Sequence, residues 1–213
     1  MNCINTFFNN IAHLVFPRLC TGCGSDLLAE NQVICLDCME NLPLTNFFAH
    51  QDNPVERIFY GRLPLINASA YAYFTKRSVM QRLLHEFKYR ENREIGLFFG
   101  RRIGESLAQS ERYDDLDAVV PLPLVRRKEK KRGYNQSAVI CEGIAGATNI
   151  PLIKDAIVRR KNRGSQTHRS RIERWHNVED SFKLVDERAV SGKHILLVDD
   201  VLTTGATLEA CGK

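Results

Sequence analysis

Short apolar runs separated by a helical stretch mark the second half of the chain. Residues 117–120, 156–158 and 195–198 are these runs, and their length and composition are typical of strands buried on both faces of a sheet. Residues 137–147 predict a helix between the first two, and residues 182–185 predict a further extended segment. Strands that alternate with crossovers predict a parallel sheet, with ligands bound beyond the carboxyl ends of its strands.

Apolar residues in the first half recur at helical spacing. This spacing predicts helices that cover the core at residues 4–15, 78–88 and 95–107. Residues 68–74 alternate small and aromatic side chains and predict a strand, whereas residues 40–66, with their prolines and glycine, predict a connector. His85 and Lys88, in the second helix, could reach a site, but solvated helix positions are the favoured interpretation.

The composition is ordinary for a soluble globular protein, since 44% of the 213 residues are hydrophobic and 26% are charged. We expect three parts: an N-terminal helix and cysteine module at 1–45, a connector with a strand and core-covering helices at 46–116, and the sheet core at 117–213. No apolar run approaches the ~18 residues of a membrane span, and residues 1–19 lack the basic start of a signal peptide. We therefore expect a cytoplasmic protein without membrane insertion.

Positive charge is concentrated just before the last predicted strand. The formal net charge is +5, and residues 121–180 hold 14 Lys or Arg against 6 Asp or Glu, so the excess belongs to this segment. Its basic residues cluster in two predicted loops, 126–132 and 159–174. Such runs are ordinarily solvated surface, and nucleic-acid contact is the next interpretation. Because both loops leave the sheet at its ligand-binding edge, an anionic ligand is favoured.

Four of the seven cysteines form two CxxC pairs, Cys20 with Cys23 and Cys35 with Cys38. Two such turns complete the tetrahedral coordination of a structural zinc ion, with all four positions filled by protein. Disulfides are disfavoured without a secretory signal, and a thioredoxin-like redox pair needs one CxxC near a βαβ unit. An iron–sulfur cluster stays open as an alternative. Structural zinc that folds a small N-terminal module is the favoured prediction.

The residues after the last predicted strand form a candidate site for a sugar phosphate. Asp199 and Asp200 follow the strand directly, so they can take ribose hydroxyls or the waters of Mg²⁺. The next segment offers small and hydroxyl side chains, loop amides and a helix start, all of which suit a phosphate. Its residues are Thr203, Thr204, Gly205, Ala206 and Thr207. An acidic turn before an N-capping threonine is the simpler interpretation, but the whole ordered string favours the site.

This string resembles the motif of type I phosphoribosyltransferases that binds 5-phosphoribosyl 1-pyrophosphate (PRPP). Residues 119–123 and 132–136, with the four cysteines, are similar to the ComF family, competence-associated relatives of the amidophosphoribosyltransferases. The resemblance runs from about the first CxxC to the end of the chain. It implies an α/β protein with the parallel-sheet type I phosphoribosyltransferase fold and a small N-terminal four-cysteine zinc module.

The same resemblance implies roles for the candidate site residues. Asp199 and Asp200 would act at the ribose as the catalytic pair, and the segment from Thr203 to Thr207 would hold the 5′-phosphate. Mg²⁺ would bridge ribose and pyrophosphate oxygens, and the basic loops would meet the pyrophosphate and close over the reacting centre. The loop residues so implied are Arg126, Arg127, Arg132, Gln136, Arg159, Arg160, Gln166, Arg169 and Arg171.

Two features depart from the phosphoribosyltransferase pattern. Thr203 stands where purine-salvage relatives place an aspartate base, and a threonine cannot serve as a general base near neutral pH. A purine acceptor is therefore disfavoured, and the nucleophile stays unassigned. The chain also ends eight residues after Gly205. Since a helix of about 11 residues and a further strand are expected there, we expect a truncated C-terminal helix and strand.

Two functions from different classes follow. The first is a phosphoribosyltransferase that transfers the phosphoribosyl group of PRPP to an unknown nucleophile with Mg²⁺, linked to DNA uptake and natural transformation. The second is a non-catalytic competence factor in which the zinc module and basic loops bind single-stranded DNA or DNA-uptake proteins. A zinc-ribbon nucleic-acid protein explains only about the first forty residues and is disfavoured.

Overall fold

Eight α-helices and four β-strands lie in the part of the chain that the computed structural model describes, residues 18–29, 32–160 and 181–213. The helices are α1 (Leu36–Glu40), α2 (Pro54–Phe59), α3 (Val79–Tyr89), α4 (Arg93–Ala108), α5 (Arg126–Arg132), α6 (Gln136–Thr148), α7 (Glu187–Val190) and α8 (Ala206–Gly212). The strands are β1 (Ala118–Pro121), β2 (Ile157–Arg159), β3 (Phe182–Leu184) and β4 (Ile195–Val198). Two 3₁₀ turns occupy Phe47–Ala49 and Glu111–Tyr113. The helix predicted at residues 4–15 lies outside the described residues.

Strands β1 and β4 form a parallel two-stranded sheet at the centre of the fold, as the apolar runs predict. Ala118 pairs with Ile195 at one end and Pro121 with Val198 at the other. On the opposite side of β1, Val119 makes a parallel bridge to the segment after α6: its N–H donates to the Pro151 carbonyl at 2.9 Å. Strand β1 is buried throughout, so it occupies the middle of the arrangement.

The second pair of strands differs from the prediction. Strand β2 pairs with β3 in antiparallel register, Ile157 with Leu184 and Arg159 with Phe182, and so does not extend the parallel sheet. The reason is that residues 151–153 already take the position beside β1, which leaves the half-exposed β2 to pair elsewhere. The strand predicted at 68–74 is also wrong, since only one isolated antiparallel bridge, Leu44 to Ala72, forms there.

Helices α4 and α6 pack backbone against backbone over the sheet. A Cβ on Gly100 would lie 2.2 Å from the Ile140 carbonyl oxygen, and one on Gly143 would lie 2.6 Å from that of Leu97. Glycine is required at both positions because any side chain would force the helices apart. Helix α6 also packs on β1, so this close helix pair fixes the N-terminus of α6 relative to the sheet edge.

The helices predicted at 78–88, 95–107 and 137–147 are confirmed as α3, α4 and α6. Ser78 caps helix α3: its hydroxyl accepts a hydrogen bond from the Gln81 N–H at 3.2 Å. Within the described ranges, none of the helices combines the length and hydropathy that a membrane span requires.

Candidate functional site

The sulfur atoms of Cys20, Cys23, Cys35 and Cys38 all lie within 4.8 Å of one another. The Cys23 and Cys35 sulfurs are 3.7 Å apart, and tetrahedral zinc with bonds of about 2.3 Å would place its sulfur ligands about 3.8 Å apart. Backbone N–H groups point at the sulfurs: that of Cys35 donates to Cys20 Sγ at 3.2 Å, and that of Ser25 to Cys23 Sγ at 3.4 Å. The cluster therefore fits a metal ion such as zinc.

The electrostatics of the cluster also favour a cation. Burial alone would raise the pKa of the Cys20 thiol, but backbone N–H groups, that of Cys35 foremost, lower it to about 6. Burial and the neighbouring sulfurs raise the pKa of Cys38. One thiolate thus makes deprotonation of the neighbouring thiols harder. A divalent cation offsets this repulsion, because it binds the thiolates in place of their protons. Because four protein ligands fill a tetrahedron, such an ion has no open position for catalysis.

The two acids predicted as site residues lie at the carboxyl end of the parallel sheet. Asp199 Oδ1 accepts hydrogen bonds from the Asp200 N–H at 2.8 Å and from the Ser137 hydroxyl at 3.3 Å. Ser137 lies in the first turn of α6, and Asn135, which caps that helix, donates to the Leu122 carbonyl after β1. The loop after β1 and the acids after β4 therefore meet at one edge.

Asp199 is held in a partly desolvated environment. Burial raises the pKa of its carboxyl group, and repulsion from the adjacent Asp200 adds to this rise. The Ser137 hydroxyl and the charge of Lys88 act in the opposite direction without cancelling it. A perturbed carboxylate beside a second acid and a positive charge is typical of functional sites.

Lys88 reaches this edge, contrary to its interpretation as a solvated position. Its Nζ lies 2.7 Å from Asp200 Oδ2, and the two side chains are only 19% and 14% exposed. Lys88 follows Phe87, the buried end of the apolar stripe of α3, and this position places it at the border between core and surface. His85, three residues earlier, is exposed as expected.

The predicted phosphate segment is a tight turn packed against α2. Gly205 has φ +75°, and a Cβ there would lie 2.8 Å from the Phe59 ring and 2.9 Å from Ile58 Cγ2. Thr203 and Thr204 are exposed and Gly205 is buried, whereas Ala206 and Thr207 are half-buried in the first turn of α8. The threonine side chains of the turn are therefore open to solvent.

The basic segment 126–132 is a helix, α5, rather than the loop that its charge predicts. Arg, Lys and Glu are good helix formers, and Gly133, with φ +79°, ends the helix in the left-handed conformation. Arg126, Arg127 and Lys130 line an open cleft of about 550 Å³ together with Arg159 from β2. Four cationic side chains from two separate elements thus converge on one cleft.

Arg159 connects this cleft to the acidic edge. Burial lowers the pKa of its guanidinium group, and the negative charge of Asp199 opposes that effect. The Arg159 guanidinium carbon also lies 5.0 Å from the centre of the Phe182 ring, which faces it across the β2–β3 pair. Arg159, which lines the cleft, therefore lies close enough to Asp199 for the two charges to interact.

Of the six other residues predicted for the basic loops, the structure describes three: Arg132, Gln136 and Arg160. Arg132 does not line the cleft: its Nη1 donates to the Gln136 Oε1 at 2.8 Å, and its guanidinium lies 5.9 Å from the centre of the Tyr89 ring. Gln136 is buried and Arg160 is exposed. The others, Gln166, Arg169 and Arg171, lie outside the described residues.

No protein-family model matches the chain. The DNA utilization protein YhgH of Salmonella typhimurium is 28% identical over 213 aligned residues, which cover 92% of this chain and 89% of the relative. Competence protein ComFC of Bacillus subtilis is 32% identical over 194 residues, which cover 90% of this chain and 75% of the relative. The chain belongs to the ComF family. Competence protein F of Haemophilus influenzae, 28% identical over 135 residues covering 62% of this chain and 59% of the relative, agrees with this assignment.

Membership of the ComF family confirms the resemblance drawn from residues 119–123, residues 132–136 and the four cysteines. Sequence reasoning missed Ser137 and Arg62 as neighbours of the site, and it favoured a solvated position for Lys88. Ser137 directly follows the second of these segments, and this position is a usable signal. Arg62, which donates to the Thr204 carbonyl at 2.9 Å, is 142 residues away in sequence and carries no local signal.

Proposed function

We propose that this ComF-family protein binds PRPP with Mg²⁺ and is a phosphoribosyltransferase of the type I fold. The observation that carries the proposal is the arrangement of paired acids and an exposed threonine turn after β4, at the carboxyl edge of the parallel sheet, near a cationic cleft formed by α5 and Arg159 of the separate β2–β3 pair. PRPP combines ribose hydroxyls with a 5′-phosphate and a pyrophosphate. Its recognition therefore needs acceptors for hydroxyl groups and several positive charges, held close together.

Each part of the site has a role in this proposal. Asp199 and Asp200 accept hydrogen bonds from the ribose hydroxyls and offer the carboxylate oxygens that Mg²⁺ prefers. The turn from Thr203 to Thr207 holds the 5′-phosphate through backbone N–H groups and threonine hydroxyls. When bound, Mg²⁺ supplies charge neutralisation for the pyrophosphate.

The reaction in this proposal is a displacement at C1 of the ribose. The bond from C1 to the pyrophosphate oxygen breaks, the pyrophosphate leaves with the electron pair, and the incoming nucleophile forms the new bond to C1. Arg126, Arg127 and Arg159 offset the negative charge that builds on the leaving group, which is an electrostatic role. Thr203 offers no base for the acceptor, so the nucleophile must arrive deprotonated or lose its proton to solvent or to the ligand.

Calorimetric titration with PRPP and Mg²⁺ tests the proposal. We expect binding to the unaltered chain and at least ~10-fold weaker binding to the double variant Asp199→Asn with Asp200→Asn, a loss of about 1.4 kcal/mol or more. The control is Asp155→Asn with Glu187→Gln, which removes two exposed carboxylates and the same charge. Absence of PRPP binding to the unaltered chain, or equal binding by both double variants, would contradict the proposal.

A second candidate is a non-catalytic role in DNA uptake, in which the cationic cleft binds single-stranded DNA. The names of the relatives, which refer to competence and DNA utilization, favour a connection to DNA. Stacking of bases needs exposed aromatic rings beside the cations. Tyr134, the aromatic nearest in sequence to α5, is buried, but Tyr89 is 61% exposed and its ring centre lies 5.9 Å from the Arg132 guanidinium carbon. DNA binding ranks second because the paired acids after β4 suit ribose hydroxyls and Mg²⁺ and would repel a DNA backbone.

Single-stranded DNA binding measured by fluorescence anisotropy separates the two candidates. If the cleft binds DNA, Arg126→Gln with Arg127→Gln should weaken binding and reduce its dependence on salt. Addition of PRPP and Mg²⁺ then shows whether the ligands share the cleft. Competition indicates one site, and independent binding indicates a DNA site elsewhere on the protein.

A further inference from the structure

One ion pair lies inside the proposed site. Lys88 Nζ is 2.7 Å from Asp200 Oδ2, and both side chains are largely removed from solvent. Exposed pairs such as Arg57 with Asp52, whose side chains are about 60% exposed, contribute little to stability because water screens both charges. In the Lys88–Asp200 pair screening is weaker, so each charge depends more strongly on its partner.

The packing of the last turn of α3 fixes the direction in which the Lys88 side chain leaves the helix. Phe87, the preceding residue, is fully buried, and its carbonyl accepts a hydrogen bond from the Tyr134 hydroxyl. The rings of Phe87 and Tyr134 lie 5.6 Å apart, which anchors the last turn of α3 to the segment just before α6. Lys88 therefore projects from a fixed backbone rather than from a free helix end.

The ammonium group of Lys88 is paired with the carboxylate of Asp200, to which the proposed function assigns a divalent cation. Mg²⁺ binds carboxylate oxygens at about 2.0–2.1 Å. If a metal bound Oδ2 of Asp200 at that distance while the ammonium stayed 2.7 Å from the same oxygen, two cations would be in contact, which is strongly unfavourable at a partly desolvated position. Metal and Lys88 therefore compete for that oxygen.

We propose that Lys88 is an exchangeable counterion, which holds Asp200 in the ligand-free protein and yields to a divalent cation when the ligand binds. This inference rests on the proposed function, since that function places a metal at the acids. Its consequence is an order of binding. Free metal meets the resident ammonium and binds weakly, whereas metal that arrives with the phosphates of the ligand brings negative charge that receives the released Lys88.

Titration with Mn²⁺, followed by the electron paramagnetic resonance of the free ion, tests the competition in the absence of PRPP. Mn²⁺ prefers oxygen ligands and leaves the cysteine cluster alone. We expect Lys88→Met and Lys88→Gln each to bind Mn²⁺ about 5-fold more tightly or better than the unaltered chain. Arg82→Met, which removes the same charge from an exposed position on α3, should change the affinity less than about 2-fold.

The double variant Lys88→Met with Asp200→Asn locates the effect. The gain in Mn²⁺ affinity must disappear in it, because the contested carboxylate is gone. Unchanged affinity in both single variants would overturn the inference, as would a gain that survives Asp200→Asn. If Lys88→Met fails to fold by circular dichroism, Lys88→Gln gives the same reading with a polar group in place. PRPP calorimetry can fail while this Mn²⁺ result stands, so failures of the two proposals are distinguishable.

Discussion

Arg62 and Glu209 form an ion pair across 147 residues of the chain, in which only the carboxylate is buried. The Nε and Nη2 groups of Arg62 both donate to Glu209 Oε2, at 3.0 and 2.6 Å, and the Glu209 side chain is only 4% exposed. Arg62 Nη1 donates to the carbonyl of Thr204 at 2.9 Å. The connector after α2 is thereby tied both to the threonine turn and to the helix that follows it.

Replacement of Arg62 with methionine should destabilise the fold by about 2 kcal/mol at pH 7. The variant leaves the charge of Glu209 buried without its main partner, which costs about 3–5 kcal/mol when the pair is fully buried. Arg62 is one third exposed and Lys213 still pairs with Glu209, so a smaller loss is expected. Urea unfolding measures it, and Arg57→Met, which removes an exposed pair, should cost much less.

The cost of Arg62→Met should depend on pH. Burial alone would raise the pKa of Glu209, but hydrogen bonds from Arg62 and Lys213 lower it. A carboxyl group with a lowered pKa contributes stability that is present above its unfolded pKa and is lost as the pH falls through its folded pKa. The difference between the two proteins should thus be largest near pH 7 and shrink below about pH 4. An equal difference at both pH values would show that the charge of Glu209 is not involved.

Gly205→Ala should destabilise the protein by about 2 kcal/mol or more, because two costs add. The residue has φ +75°, which costs an L-residue about 1–2 kcal/mol, and its Cβ would meet Phe59 and Ile58 at less than 3 Å. Gly192→Ala separates these costs, since Gly192 has φ +69° but open space around it. Urea unfolding of both variants gives the comparison. Equal losses would mean that the threonine turn is not packed against α2 as described.

Local features of the fold were predictable from the sequence because they depend on neighbouring residues. The bounds of the strand at 195–198 are confirmed to the residue, although only Val198 of it is buried and the predicted burial on both faces is wrong for the other three residues. Helix α3 begins directly after Ser78, within one residue of the predicted start. The pairing of β2 with β3 was not predictable, because it depends on residues 151–153 taking the place beside β1. Periodicity indicates that a segment is extended, but it does not name the partner strand.

The site was predictable only in part for the same reason. Asp199 and Asp200 follow their strand directly, so the motif places them at the sheet edge. Lys88 comes from a helix more than 100 residues earlier, and its charge alone is typical of solvated surface. Its position next to the buried end of an apolar stripe is the available signal. Segment 126–132 illustrates the opposite error, since its charge suggested a loop where helix propensity decided the structure.

Cys38→Ser should abolish metal binding by the cysteine cluster. Elemental analysis of the unaltered chain should give about one zinc ion per chain, and the variant should lose it and unfold more easily, because metal binding stabilises the local fold. Cys211→Ser is the matched control, since Cys211 lies outside the cluster and should leave the zinc content unchanged. Iron with visible absorption would instead identify the cluster as an iron–sulfur centre. Unchanged zinc in Cys38→Ser would contradict the assignment of this ligand.

Asp199→Asn should stabilise the ligand-free protein by about 1 kcal/mol at pH 7.5 while it weakens PRPP binding. Burial and the repulsion of Asp200 raise the pKa of Asp199, so its charged form costs stability above the folded pKa. That cost fades as the pH falls and is absent below the unfolded pKa of about 3.9. Urea unfolding should therefore show a gain at pH 7.5 and almost none near that value.

The exposed Asp155→Asn should show no such gain at pH 7.5, and it separates the environment of Asp199 from a general effect of net charge. A carboxylate kept at a cost to the fold is expected where a ligand later uses the charge. If Asp199→Asn lowers stability at pH 7.5, its hydrogen bonds to Ser137 and Asp200 outweigh the desolvation of its charge, and Asp199 is then a structural residue rather than a carboxylate held ready for a ligand.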